Sequence, residues 1–324
     1  MNVAAHSETG KHAPVFAQAA VAYLLTDPQG IYVDATFGRG GHSSRILQQL
    51  GANGRLIALD RDPQAREAAR AWSDPRFEFV HCEFSRLATV LAERSIAHIN
   101  GLLIDLGVSS PQLDEAQRGF SLRADGPLDM RMNPEHGRSA AQWLSEVSVG
   151  ELKKVLRDYG DERFAASIAK AIVARRENGR PILRTAELAA VVASAIPVRS
   201  RKDPLQHPAT RTFQAIRIFI NQELEEVTMI LEASLRALLA GGRLVVITFH
   251  SLEDRIVKRF MDAQAHPDRS IGRVPLRAAQ LPLPRLRVLT RMAPSASEVQ
   301  QNPRARSAHL RVAERTQASL DCRS

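Results

Sequence analysis

The chain has 324 residues, of which 44% are hydrophobic, a formal net charge of +9 and two cysteines, Cys82 and Cys322. That length and apolar fraction imply one large or two smaller globular domains with a real core. Two distant cysteines exclude a disulfide framework or a cysteine zinc site and point to the reducing cytoplasm. No run approaches the roughly 18 apolar residues of a membrane span. The polar N-terminus lacks a signal-peptide core, and the positive charge leans toward a polyanion as partner.

The apolar run Gly30-Ile31-Tyr32-Val33 ends on Asp34, and a turn with Gly38, Gly40 and Gly41 leads into a helix over Ser43–Leu50. Strand, glycine turn and helix form a nucleotide pocket at the carboxyl end of an open α/β sheet. Ser43 stands where the dinucleotide fingerprint has its third glycine, which argues against a nicotinamide enzyme. A second strand, Arg55–Asp60, places an acid twenty residues past Gly40, where this architecture holds a ribose. Strands over Phe77–His81 and Gly101–Asp105 follow, the latter also ending in an acid. Asp34, Asp60 and Asp105 are therefore expected along one rim, an arrangement suited to a cationic, ribose-bearing ligand.

From Gln112 to Arg211 the pattern is helical, with helices expected over Ser148–Arg157, Glu162–Asn178 and Thr185–Ile196. Thr185 with Glu187 reads as a capped start. The turn Asp125–Arg131 reads as a lid over the cleft. The basic loop Val198–Pro204 reads either as a phosphate contact or as a solvated linker. One long amphipathic helix is expected from Pro208 to Ala240, stopped by Gly241-Gly242.

Arg243–Phe249 resumes the sheet as a strand buried on both faces. In His250-Ser251-Leu252-Glu253-Asp254, Ser251 and Asp254 suggest a helix cap. The last strands are placed at Arg285–Met292 and Ser307–Glu314, with a turn at Gln300–Pro303. Arg255–Ser324 holds fourteen Lys/Arg against five Asp/Glu, read as an RNA phosphate track or a solvated strand face. The expected organisation is an α/β domain in two parts, 1–112 and 212–324, around a helical insertion, 113–211.

Six blocks form a signature: Asp34–His42, Leu59–Pro63, Asp105–Gln112, Gly126–Arg131, His207–Ala215 and His250–Arg255. Together they closely resemble the small-subunit ribosomal RNA cytosine-N4 methyltransferase family (RsmH, or MraW), from His12 to Thr316. The resemblance implies a class I, Rossmann-like methyltransferase fold with a helical insertion after the fourth strand. It implies S-adenosylmethionine as methyl donor, no metal, and a decoding-region cytidine of 16S rRNA in the small ribosomal subunit as acceptor. Carried over by position, the donor contacts fall on Gly40, Gly41, His42, Asp60, Phe84, Asp105 and Gln112. His12–Val15 matches the family's opening motif, with Phe16 in place of an aliphatic residue. Residues 265–283 match least, and nothing is carried over there.

The chemistry agrees. Methylation at cytosine C5 needs a cysteine nucleophile, whereas an exocyclic amine needs only positioning and an acceptor for its protons. Asp105 and His250 are the candidates to hold that amine. Leu106-Gly107-Val108 stands where amino-methylating DNA enzymes carry a Pro-Pro-aromatic element, so no stacking residue is assigned. The target base is expected to flip out. The rival readings are a class I methyltransferase of another amine and a non-catalytic RNA-binding protein with a vestigial pocket. No membrane partner is expected, and a homodimer is left open.

Overall fold

The computed structural model describes residues 14–198, 207–270 and 282–320. His12 and Ala13, the basic loop beyond Val198, residues 271–281 of the least-matching segment and Cys322 lie outside the described residues. The chain divides into two compact units. One comprises Met1–Asp60, Gln64–Gly107 and Thr228–Ser324, the other Arg61–Pro63 and Val108–Val227.

The first part of the α/β unit runs α1 (Ala17–Leu24), β1 (Ile31–Asp34), α2 (Gly41–Gln49), β2 (Arg55–Asp60), α3 (Pro63–Ala69), β3 (Phe77–His81), α4 (Leu87–Glu93) and β4 (Ile99–Asp105). The helical unit then carries α5 (Ser110–Asp114), α6 (Ala140–Glu146), α7 (Val149–Gly160), α8 (Ala165–Glu177), α9 (Thr185–Ala195) and α10 (Thr210–Asn221). It ends within α11 (Glu223–Ala237). β5 (Leu238–Thr248), α12 (Ser251–Ala265), β6 (Leu286–Met292), α13 (Ala296–Gln301) and β7 (His309–Arg315) complete the α/β unit.

Its seven-stranded sheet has the order β3-β2-β1-β4-β5-β7-β6. The first five strands pair in parallel, and β7 is antiparallel to both its neighbours. This is the Rossmann-like class I arrangement expected from the sequence. β1, β2, β4 and β5 read as nearly unbroken apolar runs because helices cover both sheet faces. Tyr32, Leu56, Leu103, Val245 and Ile247 are fully buried there with Leu24 and Ile46 from α1 and α2. The helical unit has its own core, in which Leu152, Leu156, Ile168, Ile172, Leu188 and Ile216 meet.

Several local expectations are corrected. The single helix over 208–240 is two helices, because Gln222 takes a left-handed conformation at φ 51 between α10 and α11. Glu223, Glu225 and Glu226 then sit in the first turn of α11, where carboxylates favour the positive end of the helix dipole. Gly241-Gly242 does not stop a helix. It lies inside β5, in a bulge that sets Leu238 opposite Ile99 but Arg243 opposite Gly101, with Gly241 at φ +86.

The cap of α12 is His250 with Glu253, one residue earlier than expected, and Asp254 pairs with Arg311 instead. At α9 the N-cap position is Arg184, whose backbone N–H donates to Glu187 Oε2 at 3.1 Å, while the Thr185 hydroxyl accepts from Gly126 N. The connection between β6 and β7 is not a bare turn, since it holds α13 with Ser295 as its cap.

The Asp125–Arg131 turn is not a free lid. Leu128 and Met130 are buried in the helical core, and Leu128 N and Met130 N donate to Leu183 O and Arg118 O. Asn221 donates to Met130 O at 2.7 Å and accepts from Met132 N at 2.7 Å. These bonds hold Met130 at φ 63, a conformation costly for a side-chain-bearing residue unless its surroundings fix it.

Candidate cofactor site

The turn after β1 is built on the ends of its neighbours. Ala35 N donates to Leu103 O of β4, and Phe37 N to Leu59 O of β2. Gly38 N donates to Asp60 Oδ2 at 2.7 Å, and Asp105 N to Thr36 Oγ1 at 2.7 Å. The loop therefore ties together the carboxyl ends of β1, β2 and β4. Gly40 is needed for two reasons. Its φ is +80, and a Cβ there would stand 2.2 Å from Trp72 Cζ2. Phe37 packs edge-on against Trp72 and Phe79 beneath the turn.

The three expected rim acids have different roles. Asp34 is fully buried and braces the turn: it accepts from Ser43 Oγ at 2.6 Å and from Thr36 N at 3.1 Å. Burial pushes its carboxyl above the usual range, against the opposing pull of His42 and these two donors. Asp60 and Asp105 lie two residues further along their strands in register, opposite His81 and Ile247. They, not Asp34, form the accessible rim.

His42, in the first turn of α2, is buried, with Nε2 3.4 Å from Asp105 Oδ2. Burial disfavours its charged form, but the carboxylates of Asp105 and Asp34 outweigh burial and raise its pKa. His42 Nδ1 and Asp105 Oδ1 are buried without a hydrogen-bond partner among the described residues, and Nε2 has only the long contact to Asp105. Unpaired buried polar atoms are costly and call for a ligand or other explanation. No side chain caps α2 at Gly40, and an uncapped helix N-terminus favours an anion.

Beyond Asp60, Cys82 N donates to Asp60 O, and half-buried Phe84 follows two residues later. Gln112, in the helical unit, closes the α5 capping box: its Oε1 accepts from Ser109 N at 2.9 Å. His250 caps α12, Nδ1 accepting from Glu253 N at 3.4 Å and Nε2 lying 3.0 Å from Glu253 Oε1. Of the residues expected at the site, Gly40, Gly41, His42, Asp60 and Asp105 are thus joined by the turn. Phe84 lies two residues past Cys82, whose N–H donates to Asp60 O.

Sequence reasoning did not single out Thr36 or Trp72, and it read Ser43 only as the residue in place of a third glycine. Thr36 was legible as a polar residue inside the signature block, but Trp72 carries no signal without the fold. Cys82 is buried and its thiol is pushed up to about 11 by desolvation, so it is not a ready nucleophile.

The family model described as "MraW methylase family" matches residues 9–316. The chain is 56% identical over 306 residues to "Ribosomal RNA small subunit methyltransferase H" of Azoarcus sp. (strain BH72), covering 94% of this chain and 97% of that protein. It is 56% identical over 311 residues to the protein of the same name from Aromatoleum aromaticum, covering 96% and 98%. A third, from Burkholderia pseudomallei (strain K96243), is 56% identical over 309 residues, covering 94% and 97%.

Proposed function

The chain belongs to the MraW methylase family, and from that premise we propose how its α/β rim serves an S-adenosylmethionine-dependent methylation of small-subunit ribosomal RNA. The orphaned atoms of His42 and Asp105 beside the uncapped α2 carry this reading, because they suit a ligand with an ammonium, a carboxylate and a sulfonium. Asp60 accepts hydrogen bonds from the ribose hydroxyls, and the turn from Gly38 to His42, with Gly40 and Gly41, receives the methionine end. Phe84 packs against adenine, and Gln112 contributes a polar contact.

The bound donor supplies a methyl group on a positively charged sulfur. The acceptor is the N4 amine of a decoding-region cytidine in 16S rRNA. Asp105 and His250 are its candidate partners. Asp105 is the better placed, since its backbone is tied to the glycine turn through Thr36, whereas His250 Nδ1 is engaged at the α12 cap. Asp105 holds the amine by accepting its proton, aiming the nitrogen lone pair at the methyl. Cys82, protonated at neutral pH, takes no part, which disfavours attack at C5.

The expected insertion, 113–211, lies within the helical unit and, with the basic C-terminal third, is proposed to hold the RNA. The action is placed in the cytoplasm. No helix among the described residues is long and apolar enough to cross a membrane.

The test is transfer of labelled methyl to small subunits from cells lacking the enzyme, followed by nucleoside analysis. Label in N4-methylated cytidine is expected. Label in another nucleoside, or none, would overturn the assignment.

A further inference from the structure

Within the helical unit, Arg61, Asp62 and Pro63 are grouped with Val108–Val227 rather than with the strand they follow. Asp62 is buried there and accepts from two side chains on the same oxygen. Gln112 Nε2 donates to its Oδ2 at 2.8 Å, and Arg118 Nη1 donates to it at 2.9 Å. Arg118 is also buried, and its Nη2 donates to Met132 O at 2.9 Å and Arg131 O at 3.3 Å.

A buried ion pair gives little net stability over a well-packed apolar pair, because both charges must leave water. What it supplies here is orientation. The Gln112 amide is read from both ends: Oε1 faces the Ser109 N–H and Nε2 faces the Asp62 carboxylate. A flip would set donor against donor at Ser109 and oxygen against carboxylate at Asp62. One rotamer is therefore fixed, and it leaves one Nε2 hydrogen and one Oε1 lone pair in defined directions. Arg118, held by two carbonyls, keeps Asp62 in place.

We infer that Asp62 and Arg118 are positioning residues that lock the Gln112 amide in its ligand-binding orientation. The inference rests on the proposed contact between Gln112 and the methyl donor. Neither Asp62 nor Arg118 needs to touch the donor, since each acts through Gln112.

A single substitution would strand a buried charge and endanger folding, so the test uses the paired variant Asp62→Leu/Arg118→Met. Calorimetric binding of S-adenosylhomocysteine is measured for the wild type, the paired variant, Gln112→Ala and the triple variant, with melting temperature as a folding control. The paired variant is expected to fold and to bind up to about tenfold more weakly, the scale of one misplaced hydrogen bond. Gln112→Ala should lose at least as much. The triple variant should bind no more weakly than Gln112→Ala, because residues acting through one side chain are not additive.

Additive losses in the triple variant would overturn the inference, since they would mean that the pair acts independently of Gln112. So would wild-type affinity in a folded paired variant, or failure of that variant to fold. Unchanged affinity in Gln112→Ala would overturn the donor contact of Gln112 itself, and the inference with it.

Discussion

His42 Nε2 lies 3.4 Å from Asp105 Oδ2, joining the first turn of α2 to the end of β4 across the glycine turn. The pair sets the charge of the site. Asp105 and Asp34 together favour the imidazolium, while the buried Oδ1 of Asp105 stays unpaired among the described residues. Asp105→Asn should therefore weaken donor binding by roughly 1–3 kcal/mol, the scale for a hydrogen bond to a charged group. Calorimetry with S-adenosylhomocysteine measures this. Unchanged affinity would remove Asp105 from the site.

The same pair predicts a pH dependence. The folded-state pKa of His42 is raised above its ordinary value near 6.5. Its contribution to stability is thus fully present below about pH 6.5 and is lost as pH rises through the folded value. Urea midpoints across this window should fall more steeply with pH for the wild type than for Asp105→Asn. Parallel curves would contradict the coupling.

Asp254 and Arg311 give the opposite sign. Arg311 donates to both Asp254 oxygens, at 2.6 and 2.9 Å, and holds that carboxyl below its usual pKa. The contribution is present above the unfolded value near 3.8 and is lost as pH falls through the folded one. Arg311→Met should destabilise the protein at pH 7 by roughly 1–3 kcal/mol. The gap from wild type should narrow in acid, as followed by denaturant unfolding.

Gly40→Ala and Gly137→Ala separate conformation from crowding. Both glycines have positive φ, +80 and +75, but a Cβ at Gly137 meets nothing within 4 Å while one at Gly40 runs into Trp72. Each alanine should cost roughly 1–2 kcal/mol for its left-handed backbone. Gly40→Ala should cost more than Gly137→Ala in melting experiments and should also weaken donor binding. Equal melting losses would mean that Trp72 yields freely.

Cys82→Ala should retain methyl transfer to the small subunit, because the thiol is buried and protonated at neutral pH. Activity measured with labelled donor tests this. Its abolition in a folded variant would revive covalent chemistry.

Strands β1, β2, β4 and β5 were legible because each holds an apolar run ending at an acid or a turn, a local pattern that tertiary packing reinforces. The glycine turn was legible because backbone geometry restricts its residues. The break at Gln222 was not: it has no glycine or proline, and the preceding Asn221 is held by Met130 and Met132 some ninety positions earlier. The different roles of Asp34 and Asp105 also needed the fold, since both simply end a strand in sequence. Asp62 stayed hidden because its partner Arg118 is 56 residues away.

The central claim is that Asp60, at the end of β2 and tied to the turn through Gly38 N, receives the donor's ribose. The most direct test is calorimetric titration of S-adenosylmethionine into wild type and Asp60→Ala, with melting curves to confirm folding. A folded variant that binds roughly 1–3 kcal/mol more weakly is expected, because a charged hydrogen-bond acceptor is removed. Wild-type affinity in that variant would contradict it.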